Sequence, residues 1–189
     1  MAPIGNAATD GPGAPDSGSL ATIRWTDKSF SADRTRLGAN LKPDFDFTNL
    51  GLLFPQNDAS ERVYILDQML HQKKLGTGIK LHVHFVQDEV PLPNFKCDYR
   101  FYRNGQPIPG FTTIQTDDGS GPGFSYTGTP LVNIVPFPEI PPPSGETVSS
   151  ILDLILYRDD NRVTGDVLVK YIDYHFQVDG SGSRQEFAK

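Results

Sequence analysis

The sequence predicts an all-β fold, an antiparallel β-sandwich, and three observations carry that expectation. Short runs of aromatic and β-branched residues recur from Ala21 onwards, each broken by turn-forming residues. The 189 residues include 18 glycines and 16 prolines, too rich for a helical bundle and too aperiodic for collagen. Residues 166–178 carry Leu168, Ile172, Tyr174, Phe176 and Val178 at spacings of two or four, and a strand of that length belongs at the centre of a sandwich.

Residues 1–20 read as a flexible Gly/Pro/Ala-rich arm. Fifteen of them are Gly, Ala, Pro, Ser or Asp, too little apolar surface to offset the entropy of ordering. Residues 21–189 form the sandwich domain, with strands expected at 22–26, 44–47, 79–87, 96–103 and 111–116. Two further segments read as helix or strand. Asp58-Ala59-Ser60-Glu61 looks like a capping box ahead of Val63, Leu66 and Leu70, yet Val63/Ile65 and Tyr64/Leu66 also alternate, and 148–157 carries the same ambiguity. Both lie between clear strands, and a lone helix would need a sheet face to cover, so both are taken as strands. Arg103-Asn104-Gly105-Gln106 predicts a type I′ turn joining 96–103 to the strand after it. Residues 117–123 form a loop by composition. Residues 136–143 hold five prolines and form a connection or an edge, since proline removes ladder donors. The apolar run Ile134-Val135-Pro136-Phe137-Pro138 leading into it would be a contiguous patch in water, which argues for burial against another copy.

Hydrophobic residues at 37%, with 12 Phe and 7 Tyr, suffice for a real core. A net charge of −6 with scattered basic residues argues against a direct nucleic-acid partner. No stretch approaches the length of a membrane span, and the start has neither the basic nor the apolar region of an export signal. Cys97 is the only cysteine, so no internal disulfide, zinc ribbon or CxxC redox pair exists.

One constellation bears chemistry. In Gly76-Thr77-Gly78-Ile79-Lys80-Leu81-His82-Val83-His84, followed by Glu89, two imidazoles at i and i+2 share one strand face, as a β-barrel presents two nitrogens to one metal. The pattern resembles the first half of the cupin metal motif, in which His82, His84 and Glu89 would be ligands. The glycine that should follow is Lys96, and His175, the only later histidine, lies mid-strand without the cupin turn. Two histidines without a third ligand hold a transition metal weakly, so no metal is expected. No Gly-x-Ser-x-Gly elbow or phosphate loop is present. Cys97 sits in an alternating strand as a packed residue, and Asp117-Asp118 and Asp159-Asp160 sit in turn contexts. The expectation is therefore a protein that is not an enzyme, with no catalytic residues and no cofactor.

The segments 82–87 and 99–102, the Thr164-Gly165-Asp166 and Asp173-Tyr174-His175 stretches and the Gly182-Ser183-Arg184-Gln185-Glu186 ending resemble a family of tailed-bacteriophage virion structural proteins. That resemblance implies a sandwich of jelly-roll type and a non-enzymatic capsid decoration (cement) protein on the head shell of the virion. Its partners would be the major capsid protein and itself, as a homo-oligomer, by analogy a trimer. The alternatives it leaves are a tail or fibre-associated adsorption component and, from the histidine motif, a cupin-like metal-binding enzyme.

Overall fold

Alternation of apolar and polar residues builds the fold strand by strand. The computed structural model describes residues 24–31, 35–38, 41–88, 92–116, 131–159 and 165–179. Among these are eleven strands and no helix: Arg24–Ser31 (β1), Arg36–Leu37 (β2), Asp44–Asp46 (β3), Gly51–Phe54 (β4), Val63–Gln68 (β5), Ile79–Val86 (β6), Phe95–Tyr102 (β7), Thr112–Gln115 (β8), Asn133–Pro136 (β9), Ile151–Arg158 (β10) and Val167–Val178 (β11). In β6, Ile79, Leu81, Val83 and Phe85 are buried while Lys80, His82, His84 and Val86 face outward, as a period of two requires.

All strand pairings are antiparallel, and they assemble two sheets. The first runs β3-β4-β11-β6-β9, with β1 also on β11; the second runs β2-β5-β10-β7-β8. One edge of β11 is shared, β4 taking Val167–Val169 and β1 taking Tyr171–Val178. Leu52, Phe54, Val83, Phe85 and Ile172 of the first sheet meet Val63, Ile65, Phe95, Leu154 and Leu156 of the second in one core. The architecture is an antiparallel β-sandwich of jelly-roll type.

Both ambiguous segments are strands, β5 and β10. The apparent capping box closes a turn instead: the Ser60 amide donates to Asp58 Oδ1 at 2.9 Å, an Asx-type bond that competes with helix. The arm 1–20, the loop 117–123 and the 182–186 ending lie outside the described residues.

Four features depart from the sequence expectation. First, β1 runs on to Ser31, because its inward positions include Lys28, whose ammonium pairs with Asp67 and so hides a strand behind a polar pattern. Second, β7 and β8 are joined by nine residues rather than a two-residue turn; Gly105 alone takes positive φ (75°) at the local turn, whereas type I′ demands it of Asn104 too. Third, the register shifts between Val169 and Tyr171, so Val167 and Val169 point inward in place of Leu168. Fourth, the proline-rich segment is covered by the chain itself. Phe137 N donates to Leu81 O, and Ile140 and Ile79 exchange two bonds, each 2.9 Å, which buries Val135, Phe137 and Ile140 in the core. The apolar run therefore needs no second copy, and the expectation of a trimer loses its physical basis.

Polar links also tie the sheets. Asp67 on β5 accepts from Lys28 on β1 and from the Tyr174 hydroxyl on β11. Arg158 on β10, wholly buried, donates through Nη1 to Phe54 O at 3.0 Å and Gly165 O at 2.7 Å. A buried ion pair, Lys73 Nζ to Glu146 Oε1 at 2.8 Å, holds the loop before β6, where Glu146 also accepts from the Gly76 amide at 2.7 Å.

Two outcomes follow from this packing. Phe95 meets Phe54 and Phe85 edge-on, with ring centres 5.9 and 6.0 Å away. Phe95→Ala should lower the unfolding free energy in urea by about 3–5 kcal/mol. Burial, and then the Asp67 carboxylate, raise the Tyr174 pKa above its ordinary 10.0. A raised folded value means the stabilisation is complete below pH 10.0 and is lost as pH climbs past it. The fall in melting temperature above that pH should be shallower in Tyr174→Phe than in the wild type.

Candidate functional site

Three of the chain's four histidines converge on the outer face of the first sheet. The registers that bring them together are His82↔Asp173, His84↔Tyr171 and Lys80↔His175 between β6 and β11, and Asp27↔His175 and Ser29↔Asp173 between β1 and β11. Each strand alternates, so Lys80, His82 and His84, Tyr171, Asp173 and His175, and Trp25, Asp27 and Ser29 all share that face. The fourth histidine, His71, lies elsewhere, its Nε2 2.8 Å from Ser149 Oγ.

Asp173 is the hub, a buried carboxylate on an outward-facing position. Its Oδ1 lies 3.0 Å from His84 Nε2 and its Oδ2 lies 3.3 Å from His175 Nε2. The other nitrogen of His175, Nδ1, is 2.5 Å from Asp27 Oδ1. The His82 ring stands edge-on to that of His175, centres 4.5 Å apart. Burial is the largest influence on Asp173 and would raise its pKa. The His84 hydrogen bond and the three nearby imidazoles outweigh it, and the carboxyl is held below its ordinary 3.8. Burial, then His175, lower the His82 pKa below 6.5. Near neutral pH the centre thus holds an ionised carboxylate beside a neutral imidazole.

At the ends of this polar strip stand two exposed rings, Trp25 (47% exposed) and Tyr171 (48%). Lys80 Nζ lies 4.9 Å from the Trp25 ring centre, and His84 meets Tyr171 edge-on at 6.5 Å. Trp25 pairs with Gln177, six residues along β11 from Tyr171, so the rings are separated by roughly 20 Å of strand.

The residues singled out in the sequence fall as follows. His82 and His84 do share a face, while Glu89 lies outside the described residues, as do Asp117, Asp118 and Asp160. Asp159 takes the Lys96 ammonium at 2.5 Å on the surface. Cys97 is wholly buried, and burial drives its thiol pKa far upward, which leaves it inert as a nucleophile. The partners that complete the cluster, Asp173, His175 and Asp27, were not gathered from the sequence. Asp173 and His175 repeat the i, i+2 spacing of His82 and His84, and that repetition was the available signal.

No protein-family model and no curated protein matches the chain. Among solved structures it is similar to the CBM36-1 domain of a multidomain xylanase from the hindgut metagenome of Trinervitermes trinervoides, at 9% identity and TM-score 0.45, over 84% of this chain and 100% of that one. It is also similar to carbohydrate-binding module CBM36 in complex with calcium and xylotriose, at 11% identity and TM-score 0.44, over 78% and 98%. A family 35 carbohydrate-binding module from Clostridium thermocellum matches at 12% identity and TM-score 0.40, over 77% and 96%. These neighbours are carbohydrate-binding modules and not phage proteins, and no phage family model matches. The virion resemblance is corrected accordingly, and with it the capsid-decoration and tail readings and the major capsid protein as partner. Its quoted segments are largely strand alternation, which any sandwich shares, and part of its ending lies outside the described residues.

Asp173→Asn removes the charge that two imidazoles address. In chelator-treated protein the variant should unfold at lower urea, by about 1–2 kcal/mol given the partial exposure of the histidines. Because the folded Asp173 pKa is depressed, its contribution is present above pH 3.8 and vanishes as pH falls below it. Wild type and variant should therefore converge in stability in acid.

Proposed function

We propose that the protein is a non-catalytic binding module that takes up a carbohydrate along the outer face of β1, β11 and β6. The observation that carries this reading is the strip itself: exposed Trp25 and Tyr171 rings with Lys80, Asp27, His175, Asp173, Ser29 and His84 between them, on one rigid sheet. Sugars offer both faces that such a strip needs. Their C–H surfaces stack on aromatic rings, and their hydroxyls donate to carboxylates and accept from lysine and imidazole N–H groups. A span of roughly 20 Å suits an extended oligosaccharide better than a monosaccharide.

Trp25 is the only tryptophan, so intrinsic fluorescence reports on the strip directly. Titration with a panel of neutral and anionic oligosaccharides should give a saturable change for at least one class. Trp25→Ala and Tyr171→Ala should each weaken that binding about tenfold, equivalent to ~1.4 kcal/mol, with circular dichroism unchanged. Absence of saturable binding across the panel, or variants that bind as the wild type does, would refute the reading.

A further inference from the structure

We propose that His82, Asp173 and His175 form a binding site for a divalent transition-metal cation of the zinc class, laid across the β6–β11 strand pair. This goes beyond the carbohydrate reading and does not rest on it. One ligand atom from each residue lies within 4.8 Å of the other two. His175 Nε2 and Asp173 Oδ2, at 3.3 Å, already have the separation of two ligands on one tetrahedral metal, since bonds of about 2.0–2.2 Å set their tips about 3.3 Å apart. The third ligand atom is a ring nitrogen of His82, within 4.8 Å of the other two, on a ring that stands edge-on to His175.

The non-ligating atoms of Asp173 and His175 are held by groups that orient ligands elsewhere in metalloproteins. His84 Nε2, 3.0 Å from Asp173 Oδ1, occupies that oxygen and leaves Oδ2 for the cation. Asp27 Oδ1, 2.5 Å from His175 Nδ1, accepts that proton and so leaves Nε2 with its lone pair free. A carboxylate behind a ligating imidazole is the outer-shell arrangement that fixes tautomer and raises basicity. Two imidazoles and one carboxylate select zinc-class cations over calcium or magnesium, which favour oxygen throughout, and three protein ligands leave a position for water. Without a cation, the same distances would belong to a His175 imidazolium shared by two carboxylates, and the experiment separates the two.

The full chain, stripped by chelator, is titrated with zinc chloride by calorimetry and with cobalt chloride by visible absorption. The site predicts one zinc per chain, the strong visible bands of tetrahedral cobalt, and a rise in melting temperature with zinc. His82→Ala and His175→Ala should each lower affinity at least tenfold, and Asp27→Asn, which touches no metal, should lower it about 10–100-fold. His71→Ala should change nothing. No stoichiometric uptake, or uptake that survives both alanine substitutions in folded protein, overturns the proposal and leaves the imidazolium. Should an alanine variant fail to fold, histidine ring resonances of the wild type decide. Selective shifts of His82 and His175 on adding zinc support the site, and no shift, or a shift of His71 alone, overturns it.

Discussion

Strand β11 must satisfy three neighbours at once, and a single extra residue makes that possible. Its first three residues pair with β4, its last eight with β1, and its other side with β6. With strict alternation, a strand that buries Val167 and Val169 would also bury Tyr171, Asp173 and His175, and would leave Ile172, Tyr174 and Phe176 in water. The register shift between Val169 and Tyr171 exchanges the faces midway. Both halves then bury their apolar side chains, and the polar residues of the second half land outside, opposite Asp27, Ser29, His82 and His84. Core and candidate site thus depend on the same irregularity.

The site is assembled entirely by cross-strand neighbours. Its residues come from positions near 27, 82 and 173, separated by 55 to 91 residues, and nothing local holds them together. What fixes them is backbone pairing, which places side chains opposite one another within about 5 Å. Sites built on strands of a sheet are held more rigidly than sites built on loops.

Much of the fold was legible because period-two alternation is a local signal. Residues 79–87, 96–103 and 111–116 anticipate β6, β7 and β8 closely, and 63–66 and 148–157 resolve as β5 and β10 by their context. The omissions have physical causes. β2 spans two residues, too short to show a period, and β4 is the brief run Gly51–Phe54 ahead of Pro55. Lys28 faces inward toward a carboxylate and so disguised the rest of β1. The His82/His84 pair was visible as a motif, but its partners were not, because strand neighbours are set by topology, and a single sequence carries no record of which strand lies beside which. His175 has no cupin turn, and only the pairing of β11 with β6 brings it beside His82.

The prolines along the outer edge of the first sheet have a consequence for the protein in crowded solution. An edge strand offers a row of amide donors to any passing strand, and such rows template fibrils. Here Phe137 spends its donor on Leu81, while Pro136 and Pro138 on either side, whose nitrogens would point outward, have none to offer. From Pro136 to Pro138, a strand approaching that edge finds carbonyls without the alternating donors it needs for a ladder. The segment that looked like a sticky patch is instead a local barrier to sheet growth on that side.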